Sequence, residues 1–181
     1  MKNVNRAFTA TNIRVNCQFM HAHVFTPRKN EQSGALKYDC CIVIDKDDAQ
    51  AIQLVNDAVE AAKALYTEKF GKPKGKLKTV VHDGDEDKPD DDAFANRIYI
   101  NASSQRKPGV KMLDAGLLVD ALDDEDFYSG CFGAADINFF PYNNNGAIGI
   151  SCGLNNVLKL EDGPKMSGTG LSADAAFGDL A

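Results

Sequence analysis

Residues 129–160, SGCFGAADINFFPYNNNGAIGISCGLNNVLKL, read as one long antiparallel hairpin. One arm covers about 129–141 and the other about 147–160. Between them, Asn143-Asn144-Asn145-Gly146 supplies residues that tolerate positive φ, as tight hairpin turns demand. Gly133, Gly149 and Gly153 interrupt the arms. Glycine inside a strand marks a bulge or a sharp bend, and a small barrel needs such bends.

Working outward, Ile13-Arg14-Val15-Asn16-Cys17-Gln18-Phe19 alternates apolar and polar residues with period two. That pattern predicts a half-buried strand with Ile13, Val15, Cys17 and Phe19 inward. His21 to Phe25 extends it past a bend, and Pro27 is expected to end it for want of an amide donor. Residues 26–36 read as a polar loop, Lys37 to Ile44 as a second strand, and Arg97 to Asn101 as another. Residues 102–112 read as loop and 121–126 as an acidic turn. Ile52, Val55, Val59, Ala62 and Tyr66 fall on one stripe at helical spacing. Asp45 or Asp47 stands where an N-terminal cap belongs and Gly71 where a C-terminal one does, predicting a helix over about 47–70. The expected fold is mainly β with one long helix (α+β), as a single domain over residues 1–160. Residues 161–181 are acidic and glycine-rich without periodicity, and are expected to form a disordered tail.

The chain has 181 residues, enough for one domain with a real core. No run approaches the roughly 18–20 apolar residues that cross a bilayer, and the first residues lack the apolar stretch of a secretory signal. A cytoplasmic location with no membrane partner is therefore expected. Cys17, Cys40, Cys41, Cys131 and Cys152 are odd in number and contain no CxxC pair. Adjacent Cys40 and Cys41 point to opposite faces of a strand. Buried, reduced thiols fit this pattern better than zinc ligands or disulfides.

Charge is unevenly distributed. The net charge is −6, but residues 1–81 carry 13 Lys/Arg against 8 Asp/Glu, while residues 82–181 carry 7 against 18. Such asymmetry points to a basic binding surface beside an acidic segment. The acidic run over 83–92 lacks the alternating ligand frame of a calcium loop. There is no phosphate-cradling P-loop, no GxSxG elbow and no GxGxxG after a strand. No metal, no cofactor and no catalysis are expected. The alternative from the enzyme class is a metal-dependent nuclease or phosphodiesterase using the 83–92 carboxylates, and a third is a structural protein assembling through its hairpin edge.

Binding a single nucleic-acid strand asks for Lys/Arg to neutralise phosphates and flat rings on which bases stack. Several segments mix the two. Phe25 precedes Arg28 and Lys29; Lys37 adjoins Tyr38; Arg97 and Tyr99 share one strand face by alternation. Arg14, Arg106, Lys107 and Tyr128 complete the candidate set, while Phe19, Phe70 and Phe139 are assigned to the core. In the tail, Asp174, Phe177, Asp179 and Leu180 could compete with nucleic acid for a basic groove or dock into partner proteins.

The chain also resembles the tailed-phage and prophage single-stranded DNA-binding proteins. The resemblance is carried by Arg14 with His23 to Pro27, Lys37-Tyr38 opening a strand that ends in Ile44-Asp45-Lys46, and Asp83-Gly84-Asp85-Glu86 with Pro89-Asp90. It continues through Asn101-Ala102-Ser103-Ser104 with Lys107-Pro108, then Phe127 to Gly133, Ile137-Asn138-Phe139 and Gly153 to Val157. It implies a five-stranded antiparallel OB-fold barrel. It also implies sequence-tolerant binding of single-stranded DNA in replication or recombination. The resemblance does not assign residues to DNA contact. Replication or recombination proteins as partners of the tail, and a homo-oligomer, are separate expectations.

Overall fold

The computed structural model describes residues 3–31 and 33–166. The tail positions Asp174, Phe177, Asp179 and Leu180 lie outside the described residues. In chain order the elements are β1 (Arg6–Ala7), β2 (Asn12–Lys29), β3 (Leu36–Asp45), α1 (Ala49–Phe70), β4 (Val81–Asp83), α2 (Gly84–Asp87), β5 (Arg97–Ser104), β6 (Gly109–Asp114), β7 (Leu117–Asp120), β8 (Phe132–Asn144) and β9 (Ala147–Glu161), with a 3-10 turn at Asp92–Phe94. Among the described residues no helix is long and apolar enough to cross a membrane.

The long hairpin is β8 and β9, paired from Phe132↔Glu161 to Asn144↔Ala147. Asn145 and Gly146 make its turn at φ 50° and 91°, the mirror-image geometry whose twist matches the strands. Gly133 bends β8 against its partner; a Cβ there would stand 1.8 Å from the Leu158 carbonyl oxygen. β2 pairs with β8 through its first half and with β3 through its second, and β3 pairs with β5. A parallel contact at Ser103↔Gly153 joins β5 to β9. The circuit β2-β3-β5-β9-β8-β2 is therefore closed. Numbered along the barrel it runs 1-2-3-5-4-1, the connectivity of an OB-fold, with one parallel seam in an otherwise antiparallel barrel.

α1 begins two residues later than the sequence suggests. Asp48, not Asp45 or Asp47, caps it by accepting from the Ala51 amide, and the Gly71 amide closes it onto the Thr67 carbonyl. Its apolar stripe of Val55, Ala58, Val59, Ala62 and Tyr66 packs against β8 and β2 and shares one core with Ile13, Val15, Phe19 and Ile150. Phe70, assigned to the core from sequence, lies at the last helical position, exposed and tilted against Tyr66.

Two further expectations are corrected. β2 does not stop at Pro27. Its pairing with β8 ends at Gln18↔Phe132; past the Phe19 bonds to Gly130 and Cys131 and the Ala22 bond to Ser129 Oγ, its ladder is with β3 alone, and the register there slips between His23 and Arg28. A proline amide is tolerated at such an irregular edge. Residues 102–112 are not a loop either: β5 continues to Ser104, and β6 pairs with both β9 and β7. All five cysteines are free and buried, with Cys40 and Cys41 in different clusters on the two faces of β3. Burial raises their thiols, Cys41 to about 11, so they pack as apolar groups.

Candidate nucleic-acid interface

The outward face of β2, β3 and β5 is built by register. Lys37, Asp39, Cys41, Val43 and Asp45 alternate outward on β3, opposite Ser103, Asn101, Tyr99 and Arg97 on β5 and opposite Arg28, His23, Met20 and Gln18 on β2. These are the second and third strands of the barrel, the face on which OB-folds take oligonucleotides, beside the loop between strands one and two. Here that face is divided.

One half is open. A groove of about 220 Å³ is lined by His21, Arg28, Asn30, Lys37, Asp39, Asn101 and Ser103, among others. It adjoins a polar hollow of about 400 Å³ that adds Lys29 and Glu31. His21 sits at φ 47°, where β2 changes register and curves over the barrel. Asp39 organises the floor: its carboxylate accepts from Arg28 Nε and lies 2.8 Å from His23 Nδ1. Among the described residues, Lys29 and Lys37 enter no ion pair, so their ammonium groups are available for phosphates. Arg106 and Lys107 follow just past β5, with Lys107 Nζ 5.8 Å from the centre of the Phe25 ring. Tyr38 pairs with Ser104 on the opposite side of β3 from Lys37, at this same end of the sheet.

The other half is covered. Residues 83–96 fold across it as a flap, and Phe94 packs with Met20, Cys41, Val43 and Tyr99 in a second small core. Tyr99 is 8% exposed, stacked on His82 and edge-on to Phe94. Its hydroxyl donates to Asp87, and burial reinforced by that carboxylate raises its pKa. Arg97 donates to Gln18 Oε1 and to the Ala93 carbonyl. Alternation correctly put the two residues on one face, but the flap takes that face from solvent. Tyr99 is no open platform for a base, while Arg97 is half-buried and lines a separate cavity of about 260 Å³ with Asn16, Gln18, Asp45 and Asp48.

The remaining candidates lie apart. Arg14 pairs with Arg6 near the start of β2, fourteen positions before Arg28, and its Nε donates to the Val4 carbonyl. Both arginines flank the exposed Phe8 ring, at 5.3 and 5.7 Å. Tyr128 is tied to the segment around the end of β9, its hydroxyl donating to Asp162 and its ring beside Lys159 and Lys165. The structure thus gathers Arg28, Lys29 and Lys37, adds Arg106, Lys107, Phe25 and Tyr38 at the same end, and separates Arg14, Arg97, Tyr99 and Tyr128. Sequence reasoning missed His21, Asn30, Asn101 and Ser103 in the groove and Phe8 beside the arginines. The Asn101-Ala102-Ser103-Ser104 run was a visible signal, while Phe8 carried none.

The flap accounts for the Asp83-Gly84-Asp85-Glu86 run. Asp83 caps α2 by accepting from the Asp85 amide, Asp85 accepts from the Asn96 amide, and Lys46 Nζ bridges both carboxylates at 2.7 Å. Gly84 is required because a Cβ would lie 2.2 Å from the Phe94 carbonyl oxygen. The carboxylates proposed for metal chemistry are thus spent partly on caps and a lysine clasp. Among the described residues no three His, Cys, Asp or Glu side chains converge to hold a metal ion.

The clasp should be sensitive to acid. The hydrogen bonds from Lys46 hold both carboxyls below the usual range and hold the Lys46 ammonium above its own. Depressed carboxyls add stability above the ordinary carboxylate value of about 4 and lose it as pH falls through their lowered values. The raised lysine loses its share only as pH climbs past about 10.4. Near-ultraviolet circular dichroism, which sees tyrosine in this tryptophan-free chain, should report the Tyr99 environment intact at neutral pH and lost only as pH falls from about 4 through the lowered carboxyl values. Lys46→Met should show the opened signal already at neutral pH. Identical titrations for the two proteins would dismiss the clasp.

Comparison with known proteins places these features in context. Residues 10–181 match a family described as Enterobacter phage Enc34, ssDNA-binding protein. The chain is 28% identical over 173 residues to the p50 protein of Acyrthosiphon pisum secondary endosymbiont phage 1, covering 91% of each. Its fold is similar to that of the single-stranded DNA-binding protein from bacteriophage Enc34 in complex with ssDNA, with a TM-score of 0.76 at 22% identity, covering 92% of this chain and 99% of the other. Similarity extends to gp2.5, a single-stranded DNA-binding protein encoded by bacteriophage T7, with a TM-score of 0.59 at 12% identity over 89% of this chain and 97% of that one.

Proposed function

This chain belongs to the Enterobacter phage Enc34 ssDNA-binding protein family, and from that membership we propose that it binds single-stranded DNA without reading its sequence, along the open half of its barrel face. The observation that carries the placement is the meeting of Arg28, Lys29 and Lys37 in one groove on barrel strands two and three. Phosphates meet these cations together with Arg106 and Lys107. Asn101 and Ser103 offer neutral hydrogen-bonding groups that suit any base, and Phe25 beside Lys107 at the same end supplies a stacking surface. The work is binding rather than catalysis: coating strands exposed during phage DNA replication or recombination, in the host cytoplasm. The acidic tail, with Asp174, Phe177, Asp179 and Leu180, is the natural competitor for the groove and the natural handle for replication proteins.

Fluorescence anisotropy with labelled oligo-dT, repeated across a salt series, tests this reading. Each phosphate contact on a single strand contributes about −0.7 to the slope of log K against log salt, so five cations give a slope of about −3 to −4. Oligo-dT and mixed-sequence strands should bind within a few-fold of one another. Absence of binding at low salt, or affinity indifferent to salt, would reject it.

A further inference from the structure

We propose that this protein associates with copies of itself head to tail, the leucine-bearing β6–β7 hairpin of one copy seating in the lysine-rimmed groove beside residues 71–80 of the next. The inference stands apart from the DNA reading, because both surfaces lie off the groove described above.

The first surface is the hairpin. β7 is bonded to β6 on one side only and ends the sheet. It reads Leu117-Leu118-Val119-Asp120, with Leu117 69% and Leu118 60% exposed. Soluble proteins blunt an edge strand with lysine, proline or a bulge, and an apolar edge left open marks a contact surface. Its surroundings are acidic: Asp114 and Asp120 on the hairpin, then Asp123, Asp124 and Glu125 directly after it. The hairpin's cation, Lys111, is already paired with Asp120. Phosphates are repelled from such a surface, and two hairpins side by side would set carboxylates against carboxylates. The occupant must be apolar at its centre and basic at its rim.

The chain carries that complement itself. Pro73, Gly75 and Leu77 lie along an open groove of about 860 Å³ whose rim is Lys63, Lys76 and Lys78. Lys63 pairs with Glu60; among the described residues Lys76 and Lys78 enter no ion pair. This groove adjoins the start of β9, where Lys78 bridges Gly149. The hairpin joins the same strand near its end, where Val110 pairs with Val157. Eight residues of strand separate those points by about 25 Å. Complementary surfaces at two different places on one molecule make a heterologous contact, which propagates as a line rather than closing as a pair. The contact is small, so association of the free protein is weak. It strengthens when neighbours share one strand, because binding side by side raises their effective concentration.

Sedimentation velocity on the full chain without DNA tests this, with two exposed-surface variants, Leu117→Ser/Leu118→Ser and Lys76→Glu/Lys78→Glu. The wild type should gain mass with concentration at low salt and lose that gain at high salt. Each variant alone should stay monomeric. An equimolar mixture should form dimers and nothing larger, since one variant keeps the groove and the other keeps the hairpin. Should either pair of changes disturb the far-ultraviolet dichroism, Leu117→Ser and Lys76→Glu serve singly. A wild type monomeric at every concentration, a variant that still assembles alone, or a mixture that stays monomeric overturns the proposal. Oligo-dT binding measured in parallel reports separately on the DNA reading.

Discussion

Replacing Arg28, Lys37 and Lys107 together with alanine should weaken oligo-dT binding by about a hundredfold near 0.1 M salt and flatten the salt slope by about 2. The reasoning is that each cation on a strand releases about 0.7 counterion, and at that salt each such release is worth roughly 1 kcal/mol. Three removed together therefore cost about 3 kcal/mol. Arg28 is held by Asp39, so its fork is fixed in place before DNA arrives and little ordering entropy is lost on binding. Asp39 itself opposes phosphates. Asp39→Asn should move affinity the other way, by less than tenfold, as a single charge removed at a wet surface does.

A comparison variant decides where the strand runs. Arg6 and Arg14 flank an exposed Phe8 at the far end of β2, which is also a cation-and-ring combination suited to a base. If Arg6→Ala/Arg14→Ala weakens binding more than the groove triple does, the path crosses the Phe8 patch and the groove assignment fails. Anisotropy at matched salt separates the two.

The barrel could be read from sequence where information is local. The β8–β9 hairpin is encoded within its own residues: Asn145-Gly146 allows the turn and the glycines allow the bends. The helix likewise declares its stripe, though three aspartates within four residues could not show which one caps. What failed was information held elsewhere in the chain. The β6–β7 turn places Ala115 at φ 48° beside Gly116 at 82°, a conformation that alanine does not announce, so the start of β6 passed for loop. Pro27 continues β2 because β8 has already departed on its other side, a fact about residues more than a hundred positions away. Tyr99 and Arg97 illustrate the same limit at the site. Alternation states which face a residue takes, and nothing local states that residues 83–96 will return to cover that face. The groove itself is assembled from β2, β3 and β5 by long-range register, and only the cations of β2 and β3 stood close enough in sequence to suggest it.

The second large effect concerns the residue that closes the barrel's side. Phe127→Ala should lower unfolding stability by about 3–5 kcal/mol, as a fully buried aromatic truncation does. Phe127 has no solvent exposure and tilts onto Phe19, also fully buried, at 4.7 Å between ring centres. Around that pair the chain bonds to itself: the Phe19 amide donates to the Cys131 carbonyl, and the Gly130 amide donates to the Phe19 carbonyl at 2.6 Å. These bonds carry the link between the hairpin surface and β8 across β2, at the place where β2 leaves β8 for β3. Losing the ring opens a cavity beneath both bonds, and the surrounding strands are too constrained by barrel closure to collapse into it. A typical domain has about 5–15 kcal/mol in all, so the variant sits near its folding threshold. Urea unfolding should show a markedly lower midpoint, and thermal unfolding a drop of about 10 °C or more. Leu118→Ala, exposed on β7, should change stability by no more than about 0.5 kcal/mol in the same assay. Equal losses at the two sites would mean that Phe127 is not the anchor the packing describes.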